Sequence, residues 1–397
     1  MKHFFLVFFT FISTITLAQK LNISLFNEEN LQTLLITPVS GSYLLIYGDN
    51  EYILYPNQII YISRSNDSIK VRDMATNLGT WKRVSLVGRT GNDVIRINPV
   101  SPSIPARIYD DNLGFYVDFN RMMVINLIDQ EKYVAAVVEA ESGPSAHIEF
   151  YKAQSLLVRT YALGHMEKHA GEGFNLCDEV HCQVYKGKST KNPEILKAAN
   201  ETKGQVVVDT SKTLIVGAFH ANCGGQTANS GDVWITPQPY LSSVVDPYCT
   251  SQRNAKWEVK IPLQAWLDFL KSKGVQTEEL THKQIEFHPK ERVYKYTIGN
   301  VSIPMKEIRT HFNLRSAFFT VDVVSDFVKL KGRGYGHGVG MCQDGAMQMA
   351  KRGKTYEEIV KFYFKNVEIV KFLELNNYSH EEEILSQPDS TQPDDFF

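Results

Sequence analysis

Residues 332–341 have the sequence GRGYGHGVGM and are followed by CQDGA at positions 342–346. Glycine occupies every second position from 332 to 340 and flanks a single histidine, His337. Glycine adds no side-chain packing, but it lets the backbone take positive φ angles and approach other groups closely. A flexible linker is the alternative, and the helical pattern that follows disfavours it. The stretch therefore predicts a loop that a ligand, or the side chain of His337, needs to approach.

Two helices are predicted upstream, between residues 131 and 170. Apolar side chains recur with helical spacing at Tyr133, Val134, Val137 and Val138. The sequence SGPS at 142–145 ends this first helix, and the second begins near Ser145. Glu141 is therefore predicted to stand in the last turn of an apolar helix, just before a break in the chain.

The remaining pattern predicts a sheet-rich fold. Residues 19–110 alternate apolar and polar positions, for example at 43–47, 52–55 and 58–62, with polar turns between them. This alternation is typical of antiparallel strands and hairpins. It returns at 255–330, around a helix at 263–273. Residues 171–250 are rich in loops, and two last helices are predicted at 343–352 and 355–365. The fold class is therefore α+β: a mixed or antiparallel β-rich architecture with a few helices around a cleft, plus an N-terminal β-rich region.

Four regions are predicted along the chain. Residues 1–18 form a signal peptide, and residues 19–110 form a β-rich region of unknown role. Residues 111–375 form the region with the candidate site, and 255–330 is a β-rich subdomain within it. Residues 376–397 form an acidic tail with the composition of a disordered segment.

The N-terminus predicts export. A basic start at Lys2 and His3 precedes an apolar run from 4 to 17 and the small residue Ala18. The run is too short to favour a membrane span, although a retained anchor is the alternative. We therefore expect a location in the periplasm or cell envelope, with no permanent membrane span after cleavage. The net charge of −2 gives no electrostatic reason to expect a nucleic-acid partner.

Five cysteines leave two interpretations open. Cys177, His181 and Cys182 have a spacing at which thiolates and an imidazole bind zinc, with Cys223 or His220 as the fourth ligand. In an exported protein, disulfides such as Cys177–Cys182 and Cys223–Cys249 are the alternative. Connectivity does not follow from sequence, and an odd count leaves at least one cysteine outside any intramolecular pair.

Three ordered blocks together resemble one family. The blocks are YVAAVVEAE at 133–141 with KAQS at 152–155 and VRTYAL at 158–163, then CDEVHCQVYKG at 177–187, then the glycine-rich loop with Gln343, Gly345 and Ala346. They resemble the stage II sporulation protein D family, which includes the amidase enhancers of peptidoglycan hydrolases. The resemblance covers about residues 110 to 370. It departs from the family at Cys342, where serine is usual, and at Asp344, where an aromatic residue is usual.

The resemblance implies a lytic transglycosylase that acts on glycan strands without peptide stems. The family's catalytic glutamate corresponds to Glu141. The reaction activates no water and therefore requires no cofactor. Some members bind zinc near the block at 177–187, so a structural zinc ion is an option. The implied partners are peptidoglycan glycan strands and a cell-wall amidase. A non-catalytic glycan-binding amidase enhancer is the first alternative, and a zinc or cysteine hydrolase is the second.

The reaction type explains why one carboxyl is enough. Glycoside hydrolases commonly use two carboxyls. In a lytic transglycosylase the C6 hydroxyl of the substrate attacks C1, so no water is activated. Glu139 is only two residues from Glu141, about 200° away around a helix, and is not expected to share its face.

Eight further side chains are candidates for the substrate cleft, each with a structural alternative. If they do not bind substrate, Lys152 is a charge exposed to solvent, Arg159 is a buried charge with a partner, and His337 caps a turn. His337 is a candidate to hydrogen-bond Glu141, to bind a sugar or to complete a metal site, and the glycine-rich loop around it is expected to form one wall of the cleft, facing Glu141. The candidates are Lys152, Gln154, Arg159, Tyr161, Gln183, Tyr185, His337 and Gln343.

Overall fold

The computed structural model describes residues 19–234 and 236–375. The predicted signal peptide and acidic tail lie outside these ranges. The chain divides into two compact units, Met1–Tyr133 and Val134–Phe397. The described residues form mostly antiparallel sheets and several helices, so the predicted α+β class is confirmed. Within the described residues, no helix is both long and apolar enough to cross a membrane.

The first unit consists of antiparallel strands. They pair in two sheets, in the orders β1-β12-β11-β8-β3-β4 and β10-β9-β2-β5-β6-β7. Alternate side chains of the strands are buried, as the sequence pattern predicts. The strands are β1 (Lys20–Ser24), β2 (Thr33–Ser40), β3 (Tyr43–Tyr47), β4 (Asn50–Leu54), β5 (Ile60–Ser65), β6 (Ser68–Arg72), β7 (Asn77–Trp81), β8 (Arg83–Gly88), β9 (Val94–Ser101), β10 (Arg107–Asp110), β11 (Asn112–Asp118) and β12 (Arg121–Asp129).

The boundary of this unit differs from the predicted one at 110/111. β11 pairs with β8 and β12, and β12 pairs with β1. These backbone hydrogen bonds join residues 112–129 to the preceding strands. The unit therefore extends to Tyr133.

The second unit holds most of the helices. Helix α1 (Gln130–Ser142) continues into it across the division, and a 3-10 turn lies at Ala170–Glu172. The other elements are α2 (Ile148–Gly164), β13 (Leu176–Cys177), α3 (Pro193–Glu201), β14 (Gln205–Val208), β15 (Phe219–His220), α4 (Ser230–Val233), β16 (Lys256–Pro262), α5 (Leu263–Ser272), α6 (His282–Ile285), β17 (Lys295–Ile298), β18 (Val301–Pro304), α7 (Met305–His311), β19 (Phe319–Val324), β20 (Phe327–Arg333), β21 (Met341–Cys342), α8 (Gln343–Lys351), α9 (Tyr356–Tyr363) and β22 (Glu368–Lys371).

Helix α2 is the central element of this unit. Most of its side chains are buried, and it packs against α3, β14, α8 and α9. A helix that is buried on several sides needs small or apolar residues all round, which the sequence FYKAQSLLVRTYAL supplies. Residues 256–333 have a separate core, in which β16, β20 and β19 form an antiparallel sheet around Trp266 and its neighbours.

The glycine-rich loop connects β20 to β21 and is packed tightly against backbone. Gly334, Gly336, Gly338 and Gly340 all have positive φ angles. A Cβ atom at Gly340 would lie 2.3 Å from the carbonyl oxygen of Ala218. Any other residue would therefore strain the loop, which explains why glycine recurs there.

Candidate functional site

Glu141 stands in the last turn of α1, as predicted, and its carboxyl is half-buried. The helix ends because Ser142 Oγ donates back to the carbonyl of Val138 and Gly143 takes a φ of 72°. Glu141 Oε1 accepts a hydrogen bond from the backbone N–H of Val184, at 3.1 Å. Burial raises the pKa of the Glu141 carboxyl, and the Val184 hydrogen bond offsets only part of that rise. The negative end of the helix acts in the same direction as burial.

Glu139 points to different partners and is not part of a carboxyl pair with Glu141. Its buried carboxylate accepts from Ser189 Oγ at 3.0 Å, from the N–H of Thr190 at 3.1 Å and from the N–H of Lys191 at 2.8 Å. Glu139 therefore anchors the loop that follows Lys188. The predicted separation of the two carboxyls on α1 agrees with this geometry.

Gln343 is brought next to Glu141 from the far end of the sequence. It is the first residue of α8, and its Nε2 donates to the backbone carbonyl of Glu141 at 3.4 Å. The buried start of α8 therefore lies beside the end of α1. Gln343 is therefore a candidate cleft residue with a direct hydrogen bond to Glu141.

The candidates on α2 lie elsewhere. Lys152 forms ion pairs with Glu149 at 2.8 Å and with Glu201 at 2.9 Å. Arg159 is fully buried and donates to the carbonyls of Gln205 and Ala199, both at 3.0 Å.

Arg159 therefore belongs to the interior rather than to a cleft, because its buried guanidinium donates to backbone carbonyls.

Of four further candidates, three are buried and Tyr161 is half-buried. Gln154 is fully buried, and neither atom of its amide has a hydrogen-bond partner among the described residues. Tyr161 stacks on His165 with ring centroids 4.0 Å apart, and its hydroxyl accepts from Lys168. Tyr185 is fully buried. Gln183 is also buried, one residue before the Val184 N–H that binds Glu141.

His337 uses both of its ring nitrogens to hold the glycine-rich loop. Nε2 donates to the carbonyl of Phe219 at 3.0 Å, and Nδ1 accepts from the N–H of Val339 at 3.1 Å. The hydrogen bond from His337 to Glu141, one of the roles predicted for this residue, is therefore not formed, since backbone groups occupy both ring nitrogens. The arrangement requires a neutral imidazole. Burial lowers the pKa of His337 to about 4.

This neutral histidine predicts a dependence of stability on pH. The unfolded chain binds a proton at His337 below about 6.5, whereas the folded chain binds one only below about 4. Between these values the unfolded state holds more protons, so stability decreases as the pH falls. We expect a loss of about 2–3 kcal/mol between pH 7 and pH 4. Denaturant unfolding of wild type and His337→Gln at both pH values measures it. An equal pH dependence in the two proteins would contradict this role.

A four-residue cluster of metal-ligand types lies beside the turn after α2. It contains His169, Cys177, His181 and Cys182, whose ligand atoms all lie within 4.8 Å of one another. His169 Nε2 is 3.4 Å from Cys182 Sγ, and His181 Nδ1 is 3.9 Å from both sulfurs. In a tetrahedral zinc site, neighbouring sulfur and nitrogen ligands lie about 3.5 Å apart. The donor set and its spacing therefore fit zinc.

The fourth member of this cluster is His169, not Cys223 or His220. Cys223 lies in a different cluster, and His220 Nδ1 bonds to the carbonyl of Val339. The carboxylate of Glu172 contacts His169 Nδ1 at 2.6 Å. Metal-bound histidines usually hold a carboxylate in this way. The spacing His-x-x-Glu at 169–172 is the sequence signal that would have indicated His169.

All five cysteines are free thiols. The predicted disulfides Cys177–Cys182 and Cys223–Cys249 are therefore not formed in this structure. The hydrogen bond from Cys177 lowers the pKa of Cys182 to about 6, despite burial. A thiol of this kind is readily ionised, as a metal ligand must be.

A surface groove of about 840 Å³ lies next to the end of α1. Its lining includes Lys188, Ser189, Asn192 and Asn200. Asn192 Nδ2 donates to the carbonyl of Pro144 at 2.8 Å, which ties one wall to the chain just after Glu141. Glu141 itself does not line this groove. The chemistry of Glu141, rather than the volume of the groove, marks the candidate centre.

Comparisons with known proteins cover this region of the chain. A family model described as stage II sporulation protein matches residues 118–208. A protein of Brachyspira hyodysenteriae described as uncharacterized is 33% identical over 273 residues, which are 68% of this chain and 74% of that protein. Stage II sporulation protein D of Bacillus subtilis is 30% identical over 259 residues, which are 61% of this chain and 74% of that protein. The amidase enhancer of B. subtilis is 25% identical over 292 residues, or 59% of this chain and 40% of its own length.

Proposed function

The chain belongs to the stage II sporulation protein D family, and from this premise we propose that it is an exported lytic transglycosylase of peptidoglycan. Its substrate is the bond from MurNAc to GlcNAc in glycan strands without peptide stems. Its products carry 1,6-anhydro-MurNAc ends. Export rests on the N-terminal sequence pattern, and the substrate class rests on the family.

One observation carries the proposal: a single carboxyl, that of Glu141, stands half-buried with a raised pKa at the end of α1. A group of this kind is protonated closer to neutral pH than an ordinary glutamate and can serve first as acid and then as base. Glu139 is bound to residues 189–191 and gives no second catalytic carboxyl. The geometry therefore favours a reaction that needs only one.

The reaction is balanced without water. Protonated Glu141 gives its proton to the glycosidic oxygen as the bond from C1 to that oxygen breaks. The C6 hydroxyl of the same MurNAc then attacks C1, and its proton returns to Glu141. The new bond from O6 to C1 closes the anhydro ring. The N–H of Val184 holds Oε1 throughout, so the other carboxyl oxygen is the one oriented to exchange the proton.

The cluster of His169, Cys177, His181 and Cys182 would hold a structural zinc ion. Zinc there supplies folding energy to the loop rather than an activated water. Val184 follows Cys182 by two residues, so fixing this loop also fixes the N–H that binds Glu141. The metal therefore supports the position of the acid without entering the reaction.

The raised pKa of Glu141 predicts that kcat/KM decreases on the alkaline side of the pH–rate profile. Because the first step needs the protonated carboxyl, kcat/KM should decrease by about tenfold per pH unit above that pKa. The alkaline limb of the profile should lie above the pH range of an ordinary glutamate, since burial raises the pKa. Initial rates on denuded glycan across pH 4–9, followed by mass spectrometry of the products, measure it. A rate that increases with pH up to 9 would count against a protonated carboxyl.

A second candidate function is that of a non-catalytic amidase enhancer, which the name of one relative favours. It would bind glycan strands and a cell-wall amidase without turnover. Co-sedimentation with denuded glycan and stimulation of an amidase would then be seen with no anhydro product. Release of anhydro-MurNAc ends by the purified protein distinguishes the transglycosylase from this alternative. A zinc or cysteine hydrolase would instead lose activity with a chelator and keep it after a change at Glu141.

A further inference from the structure

A second cluster of metal-ligand types lies below the glycine-rich loop. Cys223, Asp246, Cys249 and Cys342 bring three sulfurs and a carboxylate oxygen within 4.8 Å of one another, and all four residues are fully buried. Cys223 Sγ is 3.3 Å from Cys249 Sγ and 3.3 Å from Asp246 Oδ2. None of the four belongs to the His169 cluster.

We propose that these four side chains form a second metal site, which binds zinc. Thiolates select soft ions such as zinc and copper(I), and the carboxylate favours zinc over copper(I). In a tetrahedral zinc site, thiolates lie about 3.8 Å apart, close to the spacing seen here. An iron–sulfur cluster does not fit, because its ligands are divided between two or more irons, and ligands on different irons stand further apart than the 4.8 Å within which all four ligand atoms lie here.

The charge of the cluster supports a cation. Four groups that can carry negative charge are buried together, and burial of uncompensated charge is strongly unfavourable. Arg292 lies nearby, but its Nη2 donates to the carbonyl of Cys223, at 2.9 Å, rather than to a sulfur. A divalent ion among the four ligand atoms would neutralise half of the charge that the four groups carry when all are ionised.

The ligands are also oriented by hydrogen bonds, as metal ligands usually are. Cys342 Sγ accepts from the N–H of Cys223 at 3.2 Å and from the N–H of Gly345 at 3.4 Å. Asp246 Oδ2 accepts from the Tyr363 hydroxyl at 2.9 Å. A Cβ atom at Gly345 would lie 2.2 Å from Asp246 Oδ2, so only glycine leaves room for the carboxylate.

Backbone pairing preorganises the site. β15 and β21 pair in parallel, which places Cys342 opposite His220 and close to Cys223. The N–H of Asp246 donates to the carbonyl of Gly225 at 2.9 Å, which brings in the Asp-x-x-Cys segment at 246–249. A zinc ion here would cross-link three segments that are distant in sequence. It would also fix the start of α8, where Gln343 meets Glu141.

The test counts zinc in the full-length protein by native mass spectrometry and by elemental analysis. We expect two zinc ions per chain in the wild type and one in Cys342→Ser. Cys177→Ser is the matched control, because it removes a ligand from the other cluster and should also leave one. Cys177→Ser/Cys342→Ser should retain none. Cobalt(II) bound to Cys177→Ser should still show thiolate-to-cobalt charge transfer.

Two results would overturn the site. The first is one zinc per chain in the wild type with no loss in Cys342→Ser. The second is a disulfide between Cys223 and Cys249 in the freshly purified protein, shown by the loss of two hydrogens in its intact mass and located by non-reducing peptide mapping. A wild-type count of two zinc ions supports the site even where a variant fails to fold, and a count of zero also overturns it. Neither result bears on the anhydro product, so failure here is distinct from failure of the proposed function.

Discussion

Replacement of Glu141 with glutamine is expected to lower the rate of anhydro-product release by about 10³-fold, within the range of about 10² to 10⁴ for losing a general acid–base group. Glutamine has the same shape, and its amide oxygen can still accept from the N–H of Val184. It cannot give a proton to the glycosidic oxygen. The other late carboxyl of α1, that of Glu139, is bound to residues 189–191 and is therefore not placed to replace it.

Glu139→Gln is the matched control for this variant, since the same change is made two residues away on the same helix. Its buried carboxylate binds the loop at 189–191, so we expect a loss of about 1–3 kcal/mol in stability. Turnover should stay within about tenfold of wild type. Products are counted by mass spectrometry after digestion of denuded glycan. Equal rates for wild type and Glu141→Gln, or a larger loss in Glu139→Gln, would refute the assignment.

The helices and strands were predictable because they depend on local periodicity. The apolar stripe of α1 and the break at 142–145 placed Glu141 in the last turn, where it is found. The alternation at 43–47 predicted β3. The glycine spacing predicted a loop with positive φ angles that other groups approach closely, because these are properties of glycine itself.

The partners of individual side chains were not predictable, since they depend on which segments meet in space. A hydrogen bond to Glu141 was one role predicted for His337, but its Nε2 binds the carbonyl of Phe219, which the pairing of β15 with β21 brings near. Cys223 was assigned to the same metal site as Cys177 because the sequence does not show which cysteines lie close together in space. In the structure, Cys223 lies next to Cys342, and His169 lies next to Cys177.

The burial of Arg159 and the boundary of the first unit were also not predictable from the sequence. Arg159 follows the stripe of Lys152 by sequence spacing, yet α3 and β14 cover it, so its charge is used on backbone carbonyls. The boundary at 110/111 was misplaced because an extended connection before β10 resembles a linker in sequence. Only the hydrogen bonds of β11 and β12 show that the first unit continues.

The second large effect is expected from His169→Ala, which removes a ligand from the first cluster. Zinc content should decrease by one ion per chain. The affinity of that site should fall by more than the roughly 10–100-fold typical of losing a partner of a ligand. Because Val184 follows Cys182 by two residues, a loosened loop no longer fixes the N–H that binds Glu141. We expect product release to fall by at least about tenfold.

Two further variants separate a ligand from a packed ring. His165→Ala makes the same change one turn earlier, at a histidine that stacks on Tyr161 and lies outside the cluster, so zinc and activity should both be retained. His169→Cys loses the stacking on Phe174 but offers a thiolate, so it should restore most of the zinc. Elemental analysis and hydrogen exchange of residues 169–186 measure both effects. If His169→Ala kept its zinc while His165→Ala lost it, the ligand would be His165 at the end of α2 and not His169. The proposed link from this loop to Glu141 would then be wrong as well.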